Sequence, residues 1–245
     1  MRYIVNFFNA FIYNRFLVCQ PHVLPSLSIS HERNLGHLLE SKWSAVESKL
    51  SHGNSSLKIG IGLPALHDDS TKYAKIMDLL LAVCKDHDCH FIEQARAYDK
   101  SLLLKYAGDK VDVKNVHNFS EGVEPWFRFM HQLDFVVSTR IHGGMAGISN
   151  GIPTIVIPTD MRILELVNAM KVPSISFEDA MNKTFVSLLE LMRAAKKDFI
   201  AFETNRIDRL IQYKHMIESV GLRMDPLLVD VLHNSSASHL GEEPW

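Results

Sequence analysis

The sequence predicts an α/β fold, in which a Rossmann-like parallel sheet carries helices on both faces and further helices follow at the carboxyl-terminal end. Short apolar segments, such as 58–63 and 134–138, alternate along the chain with longer segments whose apolar residues recur at helical spacing. This alternation is typical of βαβ units, whose right-handed crossovers place the strands in parallel and the helices above and below them.

The individual elements follow from the same periodicities. Strands are predicted over 58–63, 90–92, 111–116, 134–138, 154–157 and 174–177. Helices are predicted over 35–50, 71–84, 98–106, 125–132, 145–149, 161–170, 185–197 and 198–220. Pro125 suits the first turn of its helix, and Gly108 can end the helix over 98–106.

These elements divide the chain into three parts. Residues 1–57 are predicted to be an irregular and partly helical remnant of an interdomain region. Residues 58–222 form the predicted Rossmann-like domain with its carboxyl-terminal helices. Residues 223–245 are a polar tail that we expect to be disordered.

Composition limits the partners of the chain. Of 245 residues, 47% are hydrophobic, and the formal net charge is -2, so no general field attracts nucleic acid or an anionic membrane. No stretch approaches the roughly 20 apolar residues that a membrane-spanning helix needs. The apolar segment 3–18 is interrupted by Asn and Arg. The compartment stays open: cytoplasmic, or Golgi and secretory if this or an upstream segment acts as a signal.

The sequence has three cysteines, Cys19, Cys84 and Cys89. This number is small and odd, which does not fit a disulfide framework. Cys84 and Cys89 lie five residues apart, but no second pair of ligands follows at the short spacing that zinc sites use. We therefore interpret them as one buried and one incidental thiol, and we predict no metal.

The strongest candidate for a functional site is the loop that follows the strand over 134–138. In an open α/β sheet, ligands bind outside the carboxyl ends of the strands. Arg140 and His142 are two residues apart, so on an extended turn they can point the same way, and Gly143 and Gly144 allow a ligand to approach the backbone closely. The following helix offers free N–H groups at its amino end. Together these groups predict a site for a phosphate or carboxylate, and the alternative is a capped loop with a structural arginine.

The loop over 158–162 is predicted to lie beside the first loop on the same edge of the sheet. It adds Asp160 and Arg162 as candidate substrate-binding residues, although Asp160 is also a natural helix N-cap and that role is favoured. The sequence has no Walker loop, which disfavours a nucleotide triphosphatase.

The segment from Asp134 through Arg140-Ile141-His142-Gly143-Gly144 to Asn150-Gly151-Ile152-Pro153 resembles the signature of the polysaccharide pyruvyl transferases. Pro25-Ser26-Leu27 and Asn34-Leu35-Gly36 resemble a second stretch of that family, and the likeness spans roughly residues 20 to 220. The resemblance implies the second domain of a two-domain (GT-B) fold. It also implies transfer of a pyruvyl ketal from phosphoenolpyruvate to a sugar of a glycan.

The same resemblance assigns roles to two residues. Arg140 matches the family's phosphoenolpyruvate-binding arginine, and His142 matches its histidine, a candidate general acid. Phosphoenolpyruvate is then a co-substrate, and no other cofactor is expected. The family's amino-terminal α/β domain is nearly missing from this sequence, so we expect a missing domain or a partner chain to complete the enzyme.

Two other functions stay open on the sequence. One is a GT-B glycosyltransferase or a relative of the sugar-nucleotide epimerases, which would hold a nucleotide diphosphate in the same loops, with Glu165 as an ill-fitting candidate for the ribose. The other is a non-catalytic half-domain that binds a phosphorylated ligand. Fold alone does not separate these three.

Overall fold

The computed structural model describes residues 35–51, 56–64, 70–94, 97–119, 123–182 and 198–223, together with 229, 232 and 233. The strands are β1 Lys58–Gly62, β2 Asp88–Glu93, β3 Val116–Asn118, β4 Phe135–Ser138 and β5 Thr154–Val156. The helices are α1 Leu35–Ser51, α2 Ser70–Val83, α3 Ala97–Ala107, α4 Val123–Met130, α5 Ile141–Ser149, α6 Met161–Met170, α7 Phe177–Asn182 and α8 Asp198–Ser219.

The five strands form one sheet in the order β3-β2-β1-β4-β5, and every neighbouring pair is parallel. The central pair aligns Ile59 with Phe135 and Gly62 with Ser138. The predicted parallel α/β fold is therefore confirmed.

The two faces of the sheet carry different side chains because Ile and Gly alternate in β1. Ile59 and Ile61 are fully buried in the larger hydrophobic cluster, with residues of α1, α2, α6 and α8. On the other face β1 presents Gly60, where an added Cβ would lie 2.6 Å from Leu133 Cδ1 and 3.3 Å from Val136 Cγ2. The glycines let the side chains of the smaller cluster, around α4, pack directly on the central strand.

Helix α1 belongs to the core of this domain. Trp43 is fully buried, and its ring lies 6.2 Å from that of Phe135 in β4 and 6.2 Å from that of Phe199 in α8. Leu39 and Val46 are buried in the same cluster. The packed unit therefore begins before residue 58, where we placed the start of the domain.

Three predicted elements differ from the structure. The strand predicted over 111–116 is instead a short 3-10 turn over Val113–Asn115 followed by β3, since β3 pairs with β2 only from Val116. The strand predicted over 174–177 is a single parallel bridge between Val156 and Ser174, and α7 begins at Phe177. Helix α5 begins at Ile141, four residues before the predicted start.

The interpretation of Cys84 and Cys89 as free thiols was wrong. The two form a disulfide, with 5.5 Å between their Cα atoms. Cys84 follows the end of α2 and Cys89 lies in β2, so the tight turn between helix and strand brings them within bridging distance. Sequence reasoning missed the bond because it looked for a framework of several pairs.

Several predictions fall outside the described residues. These are the apolar segment 3–18, the helix over 185–197, the Pro25-Ser26-Leu27 stretch and nearly all of the tail over 223–245. Within the described residues, no helix combines the length and the apolar character that crossing a membrane requires.

Candidate anion-binding site

The candidate site lies where the strand order reverses. The chain passes from β1 outward to β2 and β3 on one side, whereas β4 and β5 lie on the other, so the loops after β1 and β4 diverge at the carboxyl ends of these central strands. Thr139 joins the two ends, because its backbone N–H and its hydroxyl both donate to the carbonyl of Gly62, at 3.2 and 2.9 Å. This is the crevice in which doubly wound folds bind ligands.

Arg140 lies at the N-cap of α5 with extended backbone angles, and its side chain points inward. The residue is 9% exposed. Its Nη2 donates to Asp99 Oδ1 at 2.7 Å and to the carbonyl of Pro64 at 3.1 Å. The arginine thus links the end of β1 to the start of α3, and part of its charge is balanced inside the protein.

Asp99 is the partner that sequence reasoning missed. Its side chain is fully buried, and its second oxygen, Oδ2, accepts the backbone N–H of Gln94 at 2.9 Å. The residue lies in the first turn of α3, where a carboxylate is common for reasons of helix capping alone. Nothing in the local sequence distinguishes such a residue from one that is buried against an arginine 41 positions away.

His142 lies in the first turn of α5, and the residue is exposed. Partial removal of its ring from water lowers its pKa below the usual 6.5, and the charges of Arg162 and Arg140 lower the pKa further. Both effects favour the neutral form of the imidazole. We expected Arg140 and His142 to point the same way from an extended turn, and this was wrong: the helix begins between them, so one side chain is buried and the other is not.

The loop after β5 brings the second pair of predicted residues to the same edge. Asp160 is the N-cap of α6, and its Oδ1 accepts the N–H of Ile163 at 2.8 Å. Arg162 is exposed and lies near enough to His142 to lower its pKa. Asp160 therefore has the capping role that the sequence favoured, whereas Arg162 adds a cation to the mouth of the site.

Lys72 is a further cation that the sequence did not single out. It lies in the first turn of α2, and its Nζ donates to the carbonyl of Thr159 at 2.6 Å. The same ammonium lies 4.5 Å from the centre of the Phe177 ring. Lys72 thus ties α2 to the loop that precedes α6 and adds positive charge to this edge of the sheet.

The two glycines of the motif have different surroundings. A Cβ on Gly143 would lie 2.5 Å from Gln94 Nε2 and 2.6 Å from Ser138 Oγ. On Gly144 it would lie 2.4 Å from Val156 Cγ2, and the Gly144 N–H already donates to the Arg140 carbonyl. Gly144 therefore allows α5 to pack on β5, and its amide does not take part in the predicted anion site, because the helix starts earlier than expected.

No group of three or more His, Cys, Asp or Glu side chains in the described residues is arranged to hold a metal ion. The site is instead built from cations and hydrogen-bond donors: Arg140 and His142 beside α5, Arg162 on α6 and Lys72 on α2. This composition suits an anionic ligand.

The model of the polysaccharide pyruvyl transferase family matches residues 38–161, just over half of the 245 residues. The chain belongs to the polysaccharide pyruvyl transferase family. The match begins in α1 and reaches the first residue of α6, so it contains Arg140, His142 and the crevice between β1 and β4. The name of the family describes transferases that act on a polysaccharide.

Among solved structures, this chain is similar to the glycotransferase of kitacinnamycin, with 16% sequence identity and a TM-score of 0.35. The similarity covers 63% of this chain and 40% of that chain, so this chain spans less than half the length of that relative. A likeness this small supports no argument about function. No curated protein matches the sequence.

Proposed function

We propose that this chain binds phosphoenolpyruvate at the crevice between β1 and β4 and takes part in the transfer of its pyruvyl group to a sugar of a glycan. The observation that carries the proposal is the position of Arg140 and His142. Both lie within the segment that matches the family, and both lie at the point where the strand order reverses. Phosphoenolpyruvate is the co-substrate, and the reaction needs no other cofactor.

The basic side chains divide between two depths. Arg140 is buried and held by Asp99, whereas His142 and Arg162 are exposed at the mouth of the site. Phosphoenolpyruvate carries its carboxylate and its phosphate on the same carbon, so a ligand with one anionic group at Arg140 and the other near Arg162 would meet both cations. The first amides of α5 add donors and the positive end of a helix dipole.

The chemistry requires a proton at the methylene carbon of the donor. As that carbon is protonated, a sugar hydroxyl attacks the neighbouring carbon, which has cation character, and the hydroxyl proton passes to a base. A second hydroxyl then displaces the phosphate, which leaves with the two electrons of its C–O bond and takes up the proton of that hydroxyl, and the product is a ketal. His142 is the proposed proton donor, and the arginines stabilise the departing phosphate.

The lowered pKa of His142 fits this role only together with the ligand. A neutral imidazole is a poor acid, but a bound anion next to it favours the protonated form and raises its pKa. We infer that binding of phosphoenolpyruvate favours protonation of His142, and that this proton is the one that the reaction consumes. Without the anion, the same histidine is an acceptor or a base.

Calorimetric titration of phosphoenolpyruvate and, separately, of uridine diphosphate tests this proposal. The wild-type chain should bind phosphoenolpyruvate, and Arg140→Ala should weaken that binding about ten- to a hundredfold, the usual effect of losing a charge-assisted contact. Tight binding of uridine diphosphate without phosphoenolpyruvate would favour a glycosyltransferase instead. Binding of neither ligand would contradict the proposed donor site in this chain.

A further inference from the structure

Two polar groups at the base of the site are buried without a hydrogen-bond partner. One is the side-chain amide of Gln94, directly after β2, of which both the nitrogen and the oxygen are unpaired. The other is the Nε of Arg140. Burying an unpaired polar group costs stability, so such groups are rare in folded proteins, and next to a candidate site a ligand can supply the partner.

The Gln94 amide lies in a slot that glycines keep open. Besides its close approach to Gly143, its Nε2 lies 3.2 Å from the position where Gly62 would carry a Cβ. The hydroxyl of Ser138 borders the same slot, but it donates to the carbonyl of Arg140 at 2.7 Å. The Gln94 amide therefore lies beside the first turn of α5. The hydroxyl proton of its neighbour Ser138 is already donated to the Arg140 carbonyl.

Asp99 holds the two unpaired groups together. Its Oδ2 fixes the backbone of Gln94, and its Oδ1 fixes the guanidinium of Arg140. One buried carboxylate thus sets the positions of both residues. The arrangement supplies a neutral donor next to a charged one, which is a common combination where a protein binds an oxyanion.

We propose that Gln94 is a further binding residue of this site, and that its amide N–H donates to an oxygen of the anionic donor beside Arg140 Nε. The inference rests on the proposed function, since it takes phosphoenolpyruvate as the ligand. Neither amide atom of Gln94 reaches the surface in this structure, so the contact requires a rotation of the side chain. No hydrogen bond of that side chain has to break for the rotation to occur.

The variant Gln94→Met tests the inference, because methionine has a similar length and volume but cannot donate or accept comparably. Removal of the unpaired amide should raise the melting temperature by about 2–4 °C. The same change should weaken the binding of phosphoenolpyruvate about three- to tenfold, as the loss of a neutral hydrogen bond does. If Gln94 only filled space, Gln94→Met would not combine a higher melting temperature with weaker binding of phosphoenolpyruvate. Gln132→Met, at an exposed position after α4, is the matched control and should change neither quantity.

Two results would overturn the inference while the proposed function stands. One is a lower melting temperature of Gln94→Met, which would show that the amide is satisfied in the folded protein. The other is a dissociation constant within twofold of a wild type that binds phosphoenolpyruvate. A wild type that does not bind phosphoenolpyruvate would overturn the proposed function and, with it, the ligand assigned to Gln94.

Discussion

Among the described residues, two buried arginines form ion pairs, and they differ in whether the guanidinium Nε has a partner. In α8, Arg206 uses its Nε and its Nη2 to bind both oxygens of Glu203, at 2.7 and 2.6 Å, three residues away on the same helix. At the sheet edge, Arg140 uses Nη2 for Asp99, which is 41 residues away, and leaves Nε without a partner. Their exposures are similar, at 6% and 9%.

We propose that the difference separates a structural arginine from one that is arranged to bind a ligand. A bidentate pair within one helix satisfies the guanidinium and stabilises the local packing of α8, where Asn205 also donates to the carbonyl of Ala169 in α6. At the carboxyl ends of the central strands, Arg140 uses Nη2 alone, for Asp99 and the Pro64 carbonyl, so its Nε is left as a donor for another molecule. Burial does not distinguish the two arginines, whereas the pairing of Nε does.

The largest expected effect is on folding stability. Asp99→Ala would leave the Arg140 charge buried and unbalanced, and we expect the free energy of unfolding to fall by about 3–5 kcal/mol. The measurement is urea unfolding followed by circular dichroism. Asp99→Asn, which keeps an acceptor for the guanidinium, should lose less. Equal unfolding midpoints for the wild type and Asp99→Ala would contradict a structural role for this pair.

The second effect is on binding alone. Arg162 is exposed and makes its contribution at the mouth of the site, so Arg162→Ala should weaken phosphoenolpyruvate binding about tenfold or more while stability stays within about 0.5 kcal/mol. Calorimetric titration and urea unfolding measure the two quantities. Arg209→Ala, at an exposed position on α8, serves as the control. If both variants lost affinity equally, general charge rather than the site would explain the binding.

The disulfide should affect stability without affecting binding. It closes a short loop between Cys84 and Cys89, and replacement of both by serine should lower the free energy of unfolding by about 2 kcal/mol. The dissociation constant for phosphoenolpyruvate should not change, because the bond lies at the amino end of β2, opposite the site. Alkylation of both thiols in the native, unreduced protein would show that the bond does not form.

The smallest expected effect is the pH dependence of binding. The pKa of His142 is lowered in the protein, and a bound anion raises it, so the complex takes up a proton. Affinity should therefore increase as the pH falls from about 7.5 toward the lowered pKa. The donor phosphate also titrates near pH 6, so the quantity to compare is the difference between the wild type and His142→Gln. Identical pH profiles of the two would argue against proton uptake by His142.

The sequence predicted the sheet well because a buried parallel strand has a local pattern. The segment 134–138 is a short apolar run, and it forms β4 as expected. Elements whose boundaries depend on partners were predicted less well. The length of β3 is set by the three residues that pair with β2. The start of α5 depends on hydrogen bonds between Ser138 and Arg140.

The position of the candidate residues at one edge of the sheet was predicted for a similar reason. Arg140, His142 and Arg162 follow strand ends, so the topology alone brings them to one edge of the sheet. Asp99, the partner of Arg140, and the neighbouring Gln94 come from a distant part of the chain, and no periodicity marks them. The direction of a side chain at the junction of a strand and a helix depends on where the helix begins, which the sequence placed too late.

The most direct test of the site is a crystal structure of this chain with phosphoenolpyruvate. We predict density for the donor in the crevice between β1 and β4, with an oxygen within hydrogen-bond distance of Arg140 Nε and another near Arg162. Density for the donor elsewhere on the protein, with the Nε of Arg140 still unpaired, would contradict the account.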